Sequence, residues 1–168
     1  MMPEERNKEF MDYFEHSNNV ARLREELKRW VGTSFRYSTQ GRAQPRVTAD
    51  CVSFPIGVFK ILGLIPGEYQ TPPYCSRPTD QHQLDQILFD MDHRLPLRLV
   101  WEPGQTWIPL PGDILVCSFK RGIQHLLIAD GEGLAWDCWP HAGVRTVPLH
   151  SDRIQHNVQR IYRWRDHE

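Results

Sequence analysis

The order of the hydrophobic patterns along the chain limits the folds that it can adopt. Apolar residues at helical spacing dominate the first half, and short β-rich runs separated by turns follow residue 111. Helical segments that precede a series of closely spaced strands are typical of α+β proteins. We therefore expect an α+β fold in which N-terminal helices pack on an antiparallel sheet of about five strands.

Three segments have the spacing of amphipathic or buried helices. They are residues 18–31, residues 50–62 and residues 81–91. Gly32 and Gly63 end the first two patterns, and Pro55 is compatible with the second helix if that helix begins near Asp50. The segments 33–47 and 67–80 are polar or rich in proline, and we expect them to be loops.

Five runs in the second half have the composition of strands. They are residues 114–119, 123–130, 134–139, 143–149 and 157–164. The Gly131-Glu132-Gly133 turn joins the second run to the third as a hairpin. A hairpin centred on Glu132 places residues 127 and 137 opposite each other.

Length and charge exclude several classes of protein. A chain of 168 residues favours a single domain spanning 1–168, with residues 1–17 as a peripheral N-terminal extension. The net charge of −1 does not favour binding to nucleic acid or to an anionic membrane surface. No apolar run approaches the roughly 20 residues of a membrane span, and the charged N-terminus lacks the apolar core of a secretory signal.

The four cysteines are Cys51, Cys75, Cys117 and Cys138. No two of them form a CxxC pair, and neither Cys138 with His141 nor Cys75 with His82 has a second pair that would complete four zinc ligands. We therefore expect no metal site. Without an export signal, the cysteines are expected to be reduced thiols.

Cys51 is the candidate nucleophile. If the helix starts near Asp50, the thiol lies in the first turn, where the helix dipole and free backbone N–H groups favour a thiolate and can hold an oxyanion. The alternative is a buried structural cysteine, because free cysteine is among the most buried residue types.

His125 is the candidate general base, because it begins an apolar strand at the point where a strand end meets the surface. The hairpin register brings Asp137 close to the level of His125, so that its carboxylate can accept the imidazole N–H. His141 is the alternative third residue. The competing interpretations are a core histidine at position 125, a surface hairpin residue at 137 and a loop residue at 141.

Taken together, these segments resemble the NlpC-type cell-wall peptidases, a branch of the papain-like cysteine peptidases. The resemblance is to short, phage-associated members linked with tail assembly, and it spans about residues 23–164. It rests on the order and spacing of the motifs WVGTSFRY, ADCVSF, PGDILVCSF, IQHLLIADGEG, GVRTVPL and RIYRW.

The resemblance implies a papain-like fold and assigns roles to particular residues. Cys51 matches the nucleophile, His125 the general base, and Asp137 the third polar residue, where the family usually has His, Asn or Gln. The positions that match substrate-binding residues are Asp50, Phe35, Tyr37 and Ser53. The sequence departs from the family at Phe35, where many members have Tyr, and at Val52-Ser53, where the common motif reads Ser-Gly.

What the resemblance implies is a cysteine peptidase that hydrolyses an amide bond in peptidoglycan stem peptides, of the γ-D-glutamyl–diamino acid type. The reaction proceeds through a thioester and needs no metal or organic cofactor. Two alternatives remain open. One is a non-catalytic assembly protein on the same fold, with phage-tail or envelope proteins as partners, and the other is a thiol acyltransferase or deamidase. The protein is expected to be cytoplasmic when made and to act at the cell wall as part of a particle or after delivery.

Overall fold

The computed structural model describes residues 11–36, 43–72, 85–119 and 123–166. Its elements in chain order are a 3₁₀ turn (Tyr13–Glu15), α1 (Ser17–Arg29), β1 (Ser34–Phe35), β2 (Thr48–Ala49), α2 (Ser53–Ile61), α3 (Asp85–His93), β3 (Leu97–Trp101), β4 (Ile114–Phe119), β5 (Ile123–Ala129), β6 (Leu134–Trp139), β7 (Gly143–Pro148), α4 (Asp152–Asn157) and β8 (Val158–Trp164). Within these ranges, no helix combines the length and the apolar character needed to cross a membrane.

Six strands form one antiparallel sheet in the order β3-β8-β4-β5-β6-β7. The last strand in the sequence, β8, therefore lies between β3 and β4. The short strands β1 and β2 form a separate parallel pair. The predicted α+β class and antiparallel sheet are confirmed, and the five predicted strands are present to within one residue at each end.

Alternation along the strands divides the core between the two faces of the sheet. Leu126 and Ile128 of β5 belong to a cluster that also contains α1, α2 and α3, which we call the helix-side cluster. Leu127 and Ala129 of β5 belong to a second cluster that includes Ile154 of α4, which we call the α4-side cluster. Both faces of the central strands are covered, which explains why these strands read as continuous apolar runs.

Helices α1 and α2 hold the segment that carries Cys51 against the sheet. Trp30, at the end of α1, is fully buried, and its indole N–H donates to Glu26 Oε1 over 3.0 Å. Its ring contacts Phe54 of α2 edge-on at 5.4 Å between centroids. Because each buried aromatic side chain contributes about 1.5–3 kcal/mol, this packing fixes the start of α2.

Some elements differ from the sequence prediction. The sequence analysis does not predict strand β3 or helix α4, because β3 is a half-buried edge strand and α4 is a short helix directly before β8. The pair β1–β2 places a strand inside the segment 33–47, which was expected to be a loop. The third predicted helix extends to His93, and residues 81–84 lie outside the described residues.

The prediction of a peripheral N-terminal extension is wrong for the described part of that segment. Phe14 is buried in the helix-side cluster, and Asp12 Oδ1 accepts a hydrogen bond of 3.0 Å from Arg98 Nε. Gly112, at φ +80°, lies directly against the Phe14 ring, where a side chain at position 112 would clash. The apolar Phe14 side chain therefore ties this segment to the core, while residues 1–10 lie outside the described residues.

Candidate active site

The segment before α2 is shaped by a reciprocal cap between Asp50 and Ser53. Asp50 Oδ1 accepts hydrogen bonds from the backbone N–H groups of Val52, at 3.0 Å, and Ser53, at 2.8 Å. In return, Ser53 Oγ accepts from the backbone N–H of Asp50 at 2.8 Å. α2 spans Ser53–Ile61, but the Asp50 carbonyl already accepts the first i→i−4 hydrogen bond, from the Phe54 N–H at 3.1 Å. Asp50 therefore caps the helix, near the start expected from the sequence, and Cys51 lies directly after this cap.

The Cys51 thiol is half-buried and packs against the helix-side cluster. Burial, and next the carboxylate of Asp50, raise the pKa of this thiol above its ordinary value. The backbone N–H of Cys51 itself has the opposite, smaller effect. Desolvation and the neighbouring negative charge thus favour the protonated thiol, the direction opposite to the one expected from a helix start.

Alkylation by iodoacetamide provides a direct measurement of this environment. We expect Cys51 to react at pH 7.5 at least about tenfold more slowly than free glutathione, because each unit of raised pKa lowers the thiolate fraction tenfold. The rate is expected to rise without a plateau through pH 9.5. Mass-spectrometric mapping separates Cys51 from Cys117 and Cys138, which are fully buried and serve as slower internal controls. A plateau below pH 8 would contradict the raised pKa.

His125 and Asp137 form a buried pair across the β5–β6 hairpin. His125 Nε2 and Asp137 Oδ2 are 2.8 Å apart, and both side chains are almost inaccessible to solvent. The paired positions Ile128–Trp136 and Ala129–Ala135 have the register predicted from the Gly131–Gly133 turn, which is confirmed. His125 Nδ1 makes no hydrogen bond to any described residue.

Arg145 of β7 is the third member of this buried group and binds Asp137. It lies opposite Asp137 in the β6–β7 ladder and donates from Nε to Asp137 Oδ1 at 2.9 Å and from Nη2 to Oδ2 at 3.3 Å. Burial opposes ionisation of Asp137, but the hydrogen bonds from His125 and Arg145 together outweigh it and lower the pKa of this carboxyl. Asp137 is therefore an ionised acceptor that fixes the proton of the imidazole on Nε2.

Trp139, two residues beyond Asp137, packs edge-on against the imidazole of His125 at 5.0 Å between centroids. Phe119 contacts the same imidazole at 5.9 Å. These rings limit the access of water to the hydrogen bond between His125 and Asp137. A hydrogen bond that excludes water is electrostatically stronger than one in solvent.

Cys51 lies on the opposite face of the sheet from this pair. Alternation puts His125 and Asp137 on the α4-side face, whereas Cys51 contacts the helix-side cluster. The β5–β6 ladder ends at Ile128–Trp136, so the strands are no longer paired at the level of His125. Helix α2 packs against both strands, and the carboxylate of Asp137 contributes to the raised pKa of Cys51. No hydrogen bond joins the Cys51 thiol to His125 among the described contacts.

The other predicted site residues fall into two groups. Asp50 and Ser53 are buried in the cap of α2. Phe35 and His141 line an open groove with a volume of about 610 Å³, together with Arg36 and Pro140. His141 is exposed, and the imidazole of His125 is held by Asp137 and not by His141. Tyr37 lies outside the described residues.

Sequence reasoning missed Arg145 and Trp139. The register of the second hairpin, which is centred on residue 141, would have placed Arg145 opposite Asp137. Within the described ranges, no group of three or more His, Cys, Asp and Glu side chains is arranged to hold a metal ion.

A scan against protein-family models and a search of curated proteins gave no match to this chain. The interpretation of the site therefore depends on its geometry and on the sequence motifs.

Proposed function

We propose that the chain is a cysteine hydrolase of the papain-like, NlpC type that cleaves an amide bond in peptidoglycan stem peptides. The observation that carries the proposal is the hydrogen bond of 2.8 Å between His125 Nε2 and Asp137 Oδ2. It holds the imidazole in the tautomer whose Nδ1 lone pair is free to accept a proton. An ionised carboxylate that holds an imidazole through one ring nitrogen is the arrangement of the base and its orienting residue in nucleophilic hydrolases.

In the proposed reaction, His125 Nδ1 removes the proton of the Cys51 thiol as sulfur attacks the carbonyl carbon of the substrate. The imidazolium then protonates the leaving amine, and a thioester to Cys51 remains. Water, deprotonated by the same imidazole, hydrolyses the thioester and restores the thiol. Because the pKa of Cys51 is raised, proton transfer accompanies the attack instead of preceding it.

Two features define what this reaction requires. The first is that the Cys51 thiol, on the helix-side face, reaches His125 Nδ1, on the α4-side face, at the open end of the β5–β6 ladder, where the strands are unpaired and α2 packs against both. The oxyanion is held by the backbone N–H of Cys51, because Asp50 Oδ1 already accepts from the N–H groups of Val52 and Ser53. The substrate lies in the groove between Phe35 and His141, whose exposed Arg36 suits an anionic peptide.

The test is mass spectrometry of a peptidoglycan digest. We expect the wild-type protein to release fragments cleaved within the stem peptide, and Cys51→Ala to release none above the no-enzyme background. Cys138→Ala is the matched control, because it removes a buried thiol whose Sγ lies 3.5 Å from the carbonyl oxygen of Ala49, close to the site. Equal product from wild type and Cys51→Ala would refute the assignment of the nucleophile.

A second candidate is a non-catalytic phage-tail or envelope assembly protein on the same fold. It is favoured by the capped N–H groups at the start of α2 and by the raised pKa of Cys51. If the protein has this function, the folded wild-type protein and Cys51→Ala release the same peptidoglycan fragments in the same amounts.

A further inference from the structure

Three aromatic rings meet on the α4-side face beside the His125–Asp137 pair. Phe119 and Trp139 contact each other edge-on at 5.6 Å, and both contact the imidazole of His125. We call these three side chains the ring cluster. Trp139 and Phe119 are both partly accessible to solvent, so the cluster forms part of the surface.

Two guanidinium groups lie over this cluster, and they differ in their electrostatic partners. Arg145 lies 4.8 Å from the centroid of the Trp139 ring, and its charge is balanced by Asp137. Arg153 of α4 lies 4.5 Å from the centroid of Trp139 and 4.9 Å from that of Phe119. It is exposed, and no carboxylate among the described residues pairs with it.

The positive charge of Arg153 is therefore held in place without being neutralised. The attraction between the guanidinium and the faces of the aromatic rings restricts the side chain to a few positions. When the face of a guanidinium stacks on a ring, the N–H groups at its edge remain available to donate hydrogen bonds. Their spacing matches that of the two oxygens of a carboxylate. Since the arginine is already ordered, little additional conformational entropy is lost when an anion binds.

The carboxylate of Asp137 does not compete for this position. Asp137 is occupied by His125 and Arg145 through three hydrogen bonds. Asp137 and Arg153 act in opposite directions on the buried thiol of Cys117, since burial and then Asp137 raise its pKa to about 12 while Arg153 lowers it. The field of Arg153 thus extends over the same face as the ring cluster.

We propose that Arg153, stacked on Trp139 and Phe119, is a binding site for a carboxylate group of a peptide ligand. The rings supply an apolar surface for the carbon atoms next to the carboxylate, and this favours a carboxylate on a carbon chain over inorganic phosphate. The inference rests on the arrangement of these three side chains and does not require that the protein cleave the peptide.

The test uses the Cys51→Ala protein, in which turnover cannot alter the ligand, and two peptides that differ only in charge. N-acetyl-Glu-Ala-amide carries a side-chain carboxylate, and N-acetyl-Gln-Ala-amide is its neutral counterpart. Binding is followed through the indole N–H resonance of Trp139, assigned with Trp139→Phe. We expect saturable shifts with the glutamyl peptide and at least about tenfold weaker binding of the glutaminyl peptide.

Two arginine variants separate this site from general charge effects. Arg153→Gln is expected to lower the affinity for the glutamyl peptide to that for the glutaminyl peptide. Arg94→Gln is the matched control, because Arg94 also lies over a ring, 5.9 Å from the centroid of Phe89, but pairs with Asp90, and it is expected to bind as the parent does. The proposal is overturned if Arg153→Gln binds normally, if both peptides bind equally or not at all, or if inorganic phosphate displaces the glutamyl peptide at equal concentration.

Discussion

For the proposed reaction, Asp137→Asn is expected to lower kcat for stem-peptide cleavage by about 10³-fold or more, although Asn serves as the third residue in papain-like thiol enzymes. The reason is Arg145, whose Nε donates to Asp137 Oδ1 at 2.9 Å. The asparagine carbonyl oxygen is expected to keep this bond, because it is shorter than the 3.3 Å bond from Nη2 to Oδ2, so its NH₂ group faces His125 Nε2. The imidazole proton then moves to Nδ1, and the base that Cys51 needs is lost.

The same reasoning predicts a rescue. In the double variant Asp137→Asn/Arg145→Met, the amide is free to turn its oxygen towards His125 Nε2 and to restore the reactive tautomer. We expect at least about tenfold recovery of kcat over Asp137→Asn alone, because the single loss arises from the tautomer. Arg145→Met alone, which keeps the carboxylate, is the control for loss of the arginine.

A readout that does not depend on cleavage accompanies this series. The ¹⁵N chemical shifts of the His125 ring report which nitrogen carries the proton. We expect the proton on Nε2 in the wild type, on Nδ1 in Asp137→Asn, and on Nε2 again in the double variant. If Asp137→Asn keeps the wild-type tautomer and rate, Arg145 does not orient the side chain at position 137.

Arg163→Met is expected to lower the free energy of unfolding by about 3–5 kcal/mol, a large part of the about 5–15 kcal/mol of a typical domain. Arg163 of β8 donates from Nε to Asp113 Oδ1 at 2.7 Å and from Nη2 to Oδ2 at 2.8 Å. Asp113 is fully buried before β4 and also accepts from the Trp107 indole and the Leu110 backbone. Without Arg163, the carboxylate is left charged in the interior. Urea denaturation measures the loss.

Arg160→Met is the control for Arg163→Met, because Arg160 lies on the same strand and pairs with Asp92 at 3.5 Å near the surface. It is expected to cost about 0–1 kcal/mol. Adding Asp113→Asn to Arg163→Met is expected to recover part of the loss, since the buried charge is removed. Equal effects of Arg163→Met and Arg160→Met would contradict a buried ion pair that stabilises the sheet.

The sequence predicts those parts of the fold that depend on local patterns. The strands from Ile114 to Trp164 are recognisable because each is a short apolar run between turns, and the glycine turn at 131–133 fixes the register that pairs His125 with Asp137. The edge strand β3 carries no such pattern, because it lies at the edge of the sheet and only part of it is buried.

The candidate site shows the same limit. The sequence proposes Cys51, His125 and Asp137 as site residues, but it does not give the protonation state of the Cys51 thiol. The Asp50 side chain caps α2 and, with burial, raises the pKa of Cys51, which reverses the effect expected of a helix start. Arg153 of α4 was not singled out, because only tertiary packing brings it over Trp139 and Phe119.

The position of β8 between β3 and β4 has a consequence for biosynthesis. β3 and β4 are translated before β8, and at about 5–20 residues per second the ribosome needs several seconds to pass from the end of β3 to Trp164. During that interval each of the two strands has an unpaired edge, and such edges recruit strands of other chains. Because β8 is an internal strand that is synthesised after both of its neighbours, these edges are exposed during translation itself.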